Sequence, residues 1–105
     1  MEPLFVYVTC KNRIEAMQVG LAVVEARLAA CANVIEGMSS IYWWEGKLES
    51  DYEAILIMKS RTELLDALTA LVKSKHSYTV PCVVAMPIVG GNPDYLDWLL
   101  RETNS

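Results

Sequence analysis

Leu4 to Thr9 is apolar at both parities and rich in Phe, Val and Tyr, the pattern of a strand covered on both faces and so central in its sheet. Asn12, with Glu15 three positions on, has the spacing of a helix N-cap and its capping-box partner. The helix so opened carries Ile14, Met17, Leu21, Val24 and Leu28 at intervals of three and four, which predicts that stripe as its buried face. Arg13, Glu25 and Arg27 then face water. Gly20 inside the helix costs about 1 kcal/mol relative to Ala, tolerable where a helix comes close to a sheet. The run 28–32 closes this helix, with Cys31 as a small core residue, and Asn33 opens the next segment.

Residues 40–59, S-I-Y-W-W-E-G-K-L-E-S-D-Y-E-A-I-L-I-M-K, read as two strands folded back at Glu45-Gly46. Gly permits the positive φ of a tight turn, and the flanking Trp, Tyr and Ile favour pleated backbone. Each arm approaches about a dozen residues, well beyond the ~5 to 6 of an ordinary strand. In the second arm Tyr52, Ala54, Leu56 and Met58 share one face, and Glu53, Ile55, Ile57 and Lys59 the other. Ser60 and Glu63 have capping-box spacing, and Leu64, Leu65, Leu68, Leu71 and Val72 form a helical stripe ending near Lys75. A connector, 77–81, ends at Pro81, which holds Val80 extended. Cys82 to Met86 is a last core strand. Gly90-Gly91-Asn92-Pro93 then leads into a C-terminal helix with Asn92 as N-cap, carrying Tyr95, Leu96, Trp98, Leu99 and Leu100.

The order strand, helix, strand, strand, helix, strand, helix predicts an α+β fold. Two βαβ units joined by a hairpin give the split βαβ, or ferredoxin-like, arrangement (βαββαβ), an antiparallel sheet with both main helices on one face, here with a long β2-β3 hairpin and an additional C-terminal helix. The strands are apolar on both sides, so the face without helices needs a cover. A second copy of the chain is the simplest one, and the last helix with Trp98 is the rival. The large aromatics Tyr42, Trp43 and Trp44 beside the turn, with Trp98, are expected to anchor an interface between chains.

At 105 residues the chain is expected to form a single domain over 1–105, and 53% hydrophobic with 21% charged residues excludes a disordered one. A net charge of −4 argues against nucleic acid, which demands a clustered basic face. The apolar runs are too short to insert in a membrane, and Met1-Glu2-Pro3 lacks a positive leader, so a cytoplasmic location is expected. The odd number of cysteines, Cys10, Cys31 and Cys82, with no C-x-x-C spacing, fits reduced thiols.

Four strings carry a resemblance: L-A-A-C-A-N-V-I at 28–35, S-I-Y-W-W-E-G-K-L at 40–48, H-S-Y-T-V-P at 76–81 and P-I-V-G-G-N-P-D-Y-L-D-W-L at 87–99. Together they resemble the CutA divalent-cation tolerance family over nearly the whole chain. The resemblance implies a ferredoxin-like subunit, a stable homotrimer in which long hairpins pair between neighbours, and a link to tolerance of copper and other divalent metals. The sequence departs from the family's pattern at three places. A first-strand copper-ligand position falls on Val8 rather than Cys10, Ser77 stands where Pro is usual, and Cys82 where Glu is usual.

Three sets of residues are candidates for chemistry. The expected topology brings the end of the first strand, the hairpin turn, the end of the second helix and the start of the last strand to one edge. Cys10, His76 and Cys82, with the Glu45 turn near them, are then candidate ligands for Cu(I) or Zn(II), which imidazole and thiolate suit. The alternative is a helix-terminal His satisfying carbonyls beside two half-buried thiols. Glu53, Lys59 and Tyr78 are candidates for a cleft between subunits that binds a small ion or ligand, the alternative being a structural ion pair. No catalytic residue is assigned, because no nucleophile has a base at hand and no phosphate-binding glycine loop is present. The sequence therefore points to a non-enzymatic trimer that holds a metal or small ligand, or else to a scaffold that presents a surface to protein partners.

Overall fold

The computed structural model describes residues 2–103. In chain order the elements are β1 (Pro3–Cys10), α1 (Arg13–Glu25), β2 (Cys31–Trp44), β3 (Lys47–Arg61), a 3-10 turn (Thr62–Leu64), α2 (Leu65–Lys75), β4 (Val83–Pro87) and α3 (Pro93–Glu102). The four strands form one sheet in the order β2-β3-β1-β4 with every neighbouring pair antiparallel, the split βαβ arrangement the sequence predicts.

Strand alternation sorts the side chains between two faces. Leu4, Val6, Val8 and Cys10 of β1 and Ala54, Leu56 and Met58 of β3 point toward α1 and α2 and are buried, joined there by Leu68 and Val72 of α2. Phe5, Tyr7, Ile55 and Ile57 point the other way and are half-buried, while Ile35, Val84 and Met86 are exposed on that same face. The second face is apolar and only partly covered. α3 lies against β3 and β1, burying Leu99 completely, and its Tyr95 hydroxyl comes within 3.6 Å of the Cys31 thiol at the start of β2. The C-terminal helix therefore covers one end of this face and leaves the rest open.

The first half of the expected α1 stripe faces away from the sheet, while Val24 and Leu28 pack partly against the core. Ile14 is 66% exposed and Leu21 61%, with Met17 also exposed, whereas Ala16, Val19, Gly20 and Val23 face the sheet. The reason is separation: a Cβ on Gly20 would lie 3.0 Å from both Ala32 Cβ and Leu56 Cδ1, so only small side chains fit between helix and sheet. Asn12 does cap α1, accepting from the Glu15 amide at 2.9 Å. The helix ends at Glu25 rather than near residue 32, and Cys31 opens β2 instead of closing the helix. Nor does Ser60 cap α2. It is the buried penultimate residue of β3, its hydroxyl donating to Leu28 O at 2.6 Å, and a 3-10 turn leads into α2 without a side-chain cap. Asn92 caps α3 with Pro93 in its first turn, as expected.

The hairpin turns at Glu45 and Gly46, both with positive φ (49° and 79°), a two-residue connection that matches the twist of its arms. β1 pairs with β3 only from Ala54 onward, so residues 47–53 and the β2 residues opposite them run roughly 20 Å past the sheet. Ile41, Trp43, Leu48 and Tyr52 on this arm are exposed, with Trp43 73% accessible. Where the arm leaves the sheet the register slips: Ile35 pairs with Ile55, but Met38 pairs with Glu53, so β2 holds one residue more than β3. Gly37, at φ 85°, absorbs the slip. The extra residue reverses the parity of β2. Before it, Asn33 and Ile35 share the outer face; beyond it Met38, Ser40 and Tyr42 do, on the side where Glu53 points.

Candidate functional site

Two polar groupings lie where β1 ends, one on each side of the sheet. On the helix side, ligand atoms of Cys10, Glu15 and His76 all fall within 4.8 Å of one another. β1 delivers Cys10, the first turn of α1 delivers Glu15, and His76 follows α2 directly. The Glu15 and His76 atoms already have occupations. Glu15 Oε1 accepts from the Lys11 amide at 3.1 Å and Oε2 from the Ser77 amide at 3.0 Å. His76 Nδ1 accepts from the Tyr78 amide at 3.1 Å, which leaves its proton on Nε2, donated to Thr9 O at 2.7 Å. The same Nδ1 lies 3.6 Å from Glu15 Oε1.

Electrostatics reinforce this. Burial, with the nearby Glu15 and Glu53 carboxylates, pushes the Cys10 thiol up to about 12, so it keeps its proton. Burial works to raise the Glu15 carboxyl too, but the hydrogen bonds from Ser77 and Lys11 and the neighbouring His76 outweigh it and hold that group below the usual range. A metal here would have to strip a proton from Cys10 and break the bonds that tie β1, α1 and α2 together. The trio does not fit a bound ion as it stands; it is a polar clasp. Glu15 enters the sequence reading only as a capping residue, yet here it joins two backbone segments far apart in the chain.

Cys82 is not part of this group. It directly precedes β4, where Val83 faces the helices, so Cys82 projects to the outer face while Cys10 projects to the inner one. The sheet itself separates the two thiols. The Glu45 turn is also remote, because the hairpin carries it well past the end of β1. Val8, the position at which the family resemblance places a metal ligand, is fully buried in the core.

The outer face holds the second grouping. Tyr7, Met38, Tyr42, Glu53, Tyr78 and Cys82 help to line a cleft of about 510 Å³ at the root of the hairpin. Glu53 is 9% exposed and accepts from the Tyr78 hydroxyl at 2.7 Å. Burial and that bond to a carboxylate push the Tyr78 phenol well above its ordinary value, so Tyr78 acts as donor and Glu53 as charged acceptor. Burial and the Glu53 charge also raise the Cys82 thiol. Lys59 shares the face of Glu53 but stands six residues along β3, roughly 20 Å away, and donates to Asn33 Oδ1 at 3.0 Å. Of the three cleft residues singled out from sequence, Glu53 and Tyr78 meet and Lys59 does not join them. The cleft partners Tyr7 and Met38 escape sequence reasoning because the register slip decides which way Met38 points.

The interface candidates occupy two regions. Tyr42, Trp43 and Trp44 are exposed on the hairpin arm, and Trp98 packs at 5.4 Å against Tyr95 on α3. No helix among the described residues is long and apolar enough to cross a membrane.

A family model described as CutA1 divalent ion tolerance protein matches residues 4–102. Among relatives, "Protein CutA 1, chloroplastic" of Oryza sativa is 48% identical over 95% of this chain and 56% of its own length. The chain thus spans little more than half of that relative. The "Divalent-cation tolerance protein CutA" of Thermus thermophilus is 44% identical over 93% of this chain and 95% of its own. The crystal structure of CutA1 from Oryza sativa superposes with a TM-score of 0.95 at 46% identity, covering 100% of this chain and 96% of that one.

Proposed function

From the premise that this chain belongs to the CutA1 divalent ion tolerance family, we propose that it acts as a homotrimer in tolerance of divalent cations, copper among them, by holding a metal ion such as copper or zinc, or a small ligand, in clefts between subunits, without catalytic turnover. The observation that carries the assembly is the apolar outer face. Ile35, Val84 and Met86 stand exposed there, and on the other side of the projecting arm Ile41, Trp43 and Leu48 are exposed as well. Hiding several hundred Å² of such surface at about 25 cal/mol per Å² is worth several kcal/mol, enough to couple association to folding.

The Glu53–Tyr78 cleft is the better ligand position of the two polar groupings, because the Glu15 and His76 donors are engaged and the Cys10 thiol is pushed up. Three free thiols favour a reducing compartment, and we place the protein in the cytoplasm. Sedimentation at micromolar concentration tests the assembly: a species three times the 11.7 kDa chain is expected, and a folded, soluble single chain refutes it. Titration with Cu(I) and Zn(II) tests the ligand. Loss of metal binding on His76→Ala/Cys82→Ala would place the ion across the sheet edge, against the assignment made here. A scaffold that presents its surface to protein partners is the second reading, favoured by the exposed Trp43 at the tip of a projecting arm. It requires that the trimer bind neither metal nor small molecule.

A further inference from the structure

We propose that Glu15, buried on the helix side of the sheet, is a positioning residue for the cleft on the opposite side: by holding the Ser77 amide it sets where the Tyr78 ring stands as a wall of that cleft and as donor to Glu53. The inference deepens the reading of the cleft as a ligand position and rests on it. The connection runs through residues 76–78. α2 ends at Lys75 in the helix layer and β4 begins at Val83 beside β1, so the chain between them passes from one layer to the other next to the end of β1. It forms neither helix nor strand over 76–82.

Among the described residues, three hydrogen bonds hold 77–81 in place. On the helix side the Ser77 amide donates to Glu15 Oε2 at 3.0 Å and the Tyr78 amide to His76 Nδ1 at 3.1 Å. On the other side the Tyr78 hydroxyl donates to Glu53 Oε2 at 2.7 Å. His76 is a fixed post for this turn: its side chain is fully buried, its Nε2 donates to Thr9 O at 2.7 Å, and its ring lies 4.6 Å from that of Tyr78. Glu15 therefore grips one residue and Glu53 the next, from opposite faces of the sheet. Without the Glu15 bond the Ser77 peptide is free to turn, and returning one freed backbone residue to its native conformation costs about a factor of ten in population. Tyr78 then spends less time against Glu53, and the cleft loses a fixed wall.

The test is NMR of the full chain in its native assembly state, labelled at tyrosine Cζ and backbone nitrogen, followed by zinc titration of the same samples. The Cζ resonance of Tyr78 reports whether its hydroxyl donates to a carboxylate. Glu15→Ala is expected to move it toward the value of free tyrosine, whereas Ser60→Ala, which destabilises from the opposite end of β1 where Ser60 pairs with Leu4, leaves it in place. Linkage requires the reverse as well: Tyr78→Phe, which removes a bond on the cleft side, is expected to speed hydrogen exchange of the Ser77 amide on the helix side, and serves should Glu15→Ala not fold. Zinc is expected to bind Glu15→Ala about tenfold more weakly than wild type, and Ser60→Ala as wild type. A Tyr78 resonance indifferent to Glu15→Ala, a Ser77 amide indifferent to Tyr78→Phe, or equal responses to Glu15→Ala and Ser60→Ala would each overturn the positioning role. Wild type that binds neither zinc nor Cu(I), while Glu15→Ala still displaces the Tyr78 resonance, refutes the cleft as a metal site and keeps the positioning role. Zinc binding lost in Tyr78→Phe but untouched by Glu15→Ala does the opposite.

Discussion

Replacing Glu15 by Ala removes the acceptor for two backbone amides, those of Lys11 and Ser77, held at 3.1 and 3.0 Å. A hydrogen bond to a charged group contributes about 1.5 to 3 kcal/mol, so two lost together set an upper limit of about 3 to 6 kcal/mol. Lys11 and Ser77 are themselves exposed, and water can recover roughly half of that, leaving an expected loss of about 1.5 to 3 kcal/mol. Glu15→Gln keeps one acceptor oxygen and turns an N–H₂ toward the other amide, for an expected loss of about 1 to 2 kcal/mol. The acid dependence has a definite sign. The folded carboxyl sits below its ordinary 4.5, so its contribution is complete above that value and fades as pH falls through the folded one. Urea unfolding followed by circular dichroism, at one fixed protein concentration and from pH 7 down to pH 3, measures both effects. Wild type is expected to lose stability toward acid more steeply than Glu15→Gln. An Ala variant within about 0.5 kcal/mol of wild type, with parallel acid curves, would refute the clasp, as would recovery of the Ala variant's stability on adding zinc.

Gly20→Ala gains about 1 kcal/mol of helix propensity but drives a methyl to 3.0 Å from Ala32 Cβ, which the backbone fixes; overpacking of about 1 to 3 kcal/mol wins, and thermal melts are expected to show net destabilisation. Leu56→Ala empties a fully buried position between α1 and the sheet and is expected to cost about 3 to 5 kcal/mol by denaturant titration. Ser60→Ala strands the Leu28 carbonyl and is expected to cost about 1 to 2 kcal/mol in the same assay. Trp43→Ser leaves the fold of each chain intact while weakening association, seen as a larger fraction of light species on dilution.

Elements set by local chemistry were readable in the sequence: β1 from its continuous apolar run, the turn at Glu45-Gly46, the Asn12 and Asn92 caps, and the antiparallel order that follows from them. What failed depended on distances between elements. Periodicity marks two apolar stripes on α1 and favours the bulkier, Ile14, Met17 and Leu21; how closely the helix approaches the sheet selects the smaller, Ala16, Val19 and Gly20. Gly20 was the available signal. The candidate sites divide likewise. Cys10 and His76 converge because β1 and α2 end at the same edge, but strand parity sends Cys82 to the opposite face. Glu53 and Tyr78 meet across the chain, whereas Lys59, on the same face, is too far along the strand to join them.

The added residue at Gly37 works as a phase shifter between the body of the sheet and its arm. Which side chains furnish the cleft is decided by counting residues from that point as much as by their identity. Straightening the strand there with every residue kept would swing Met38 and Tyr42 away and bring Ser39 and Trp43 round in their place, whereas loss of the glycine alone would leave Met38 opposite Glu53. A single deletion between Ile35 and Met38 should therefore be tolerated with Met38 and Tyr42 still turned to the cleft, a freedom to drift in this segment that comes from geometry alone.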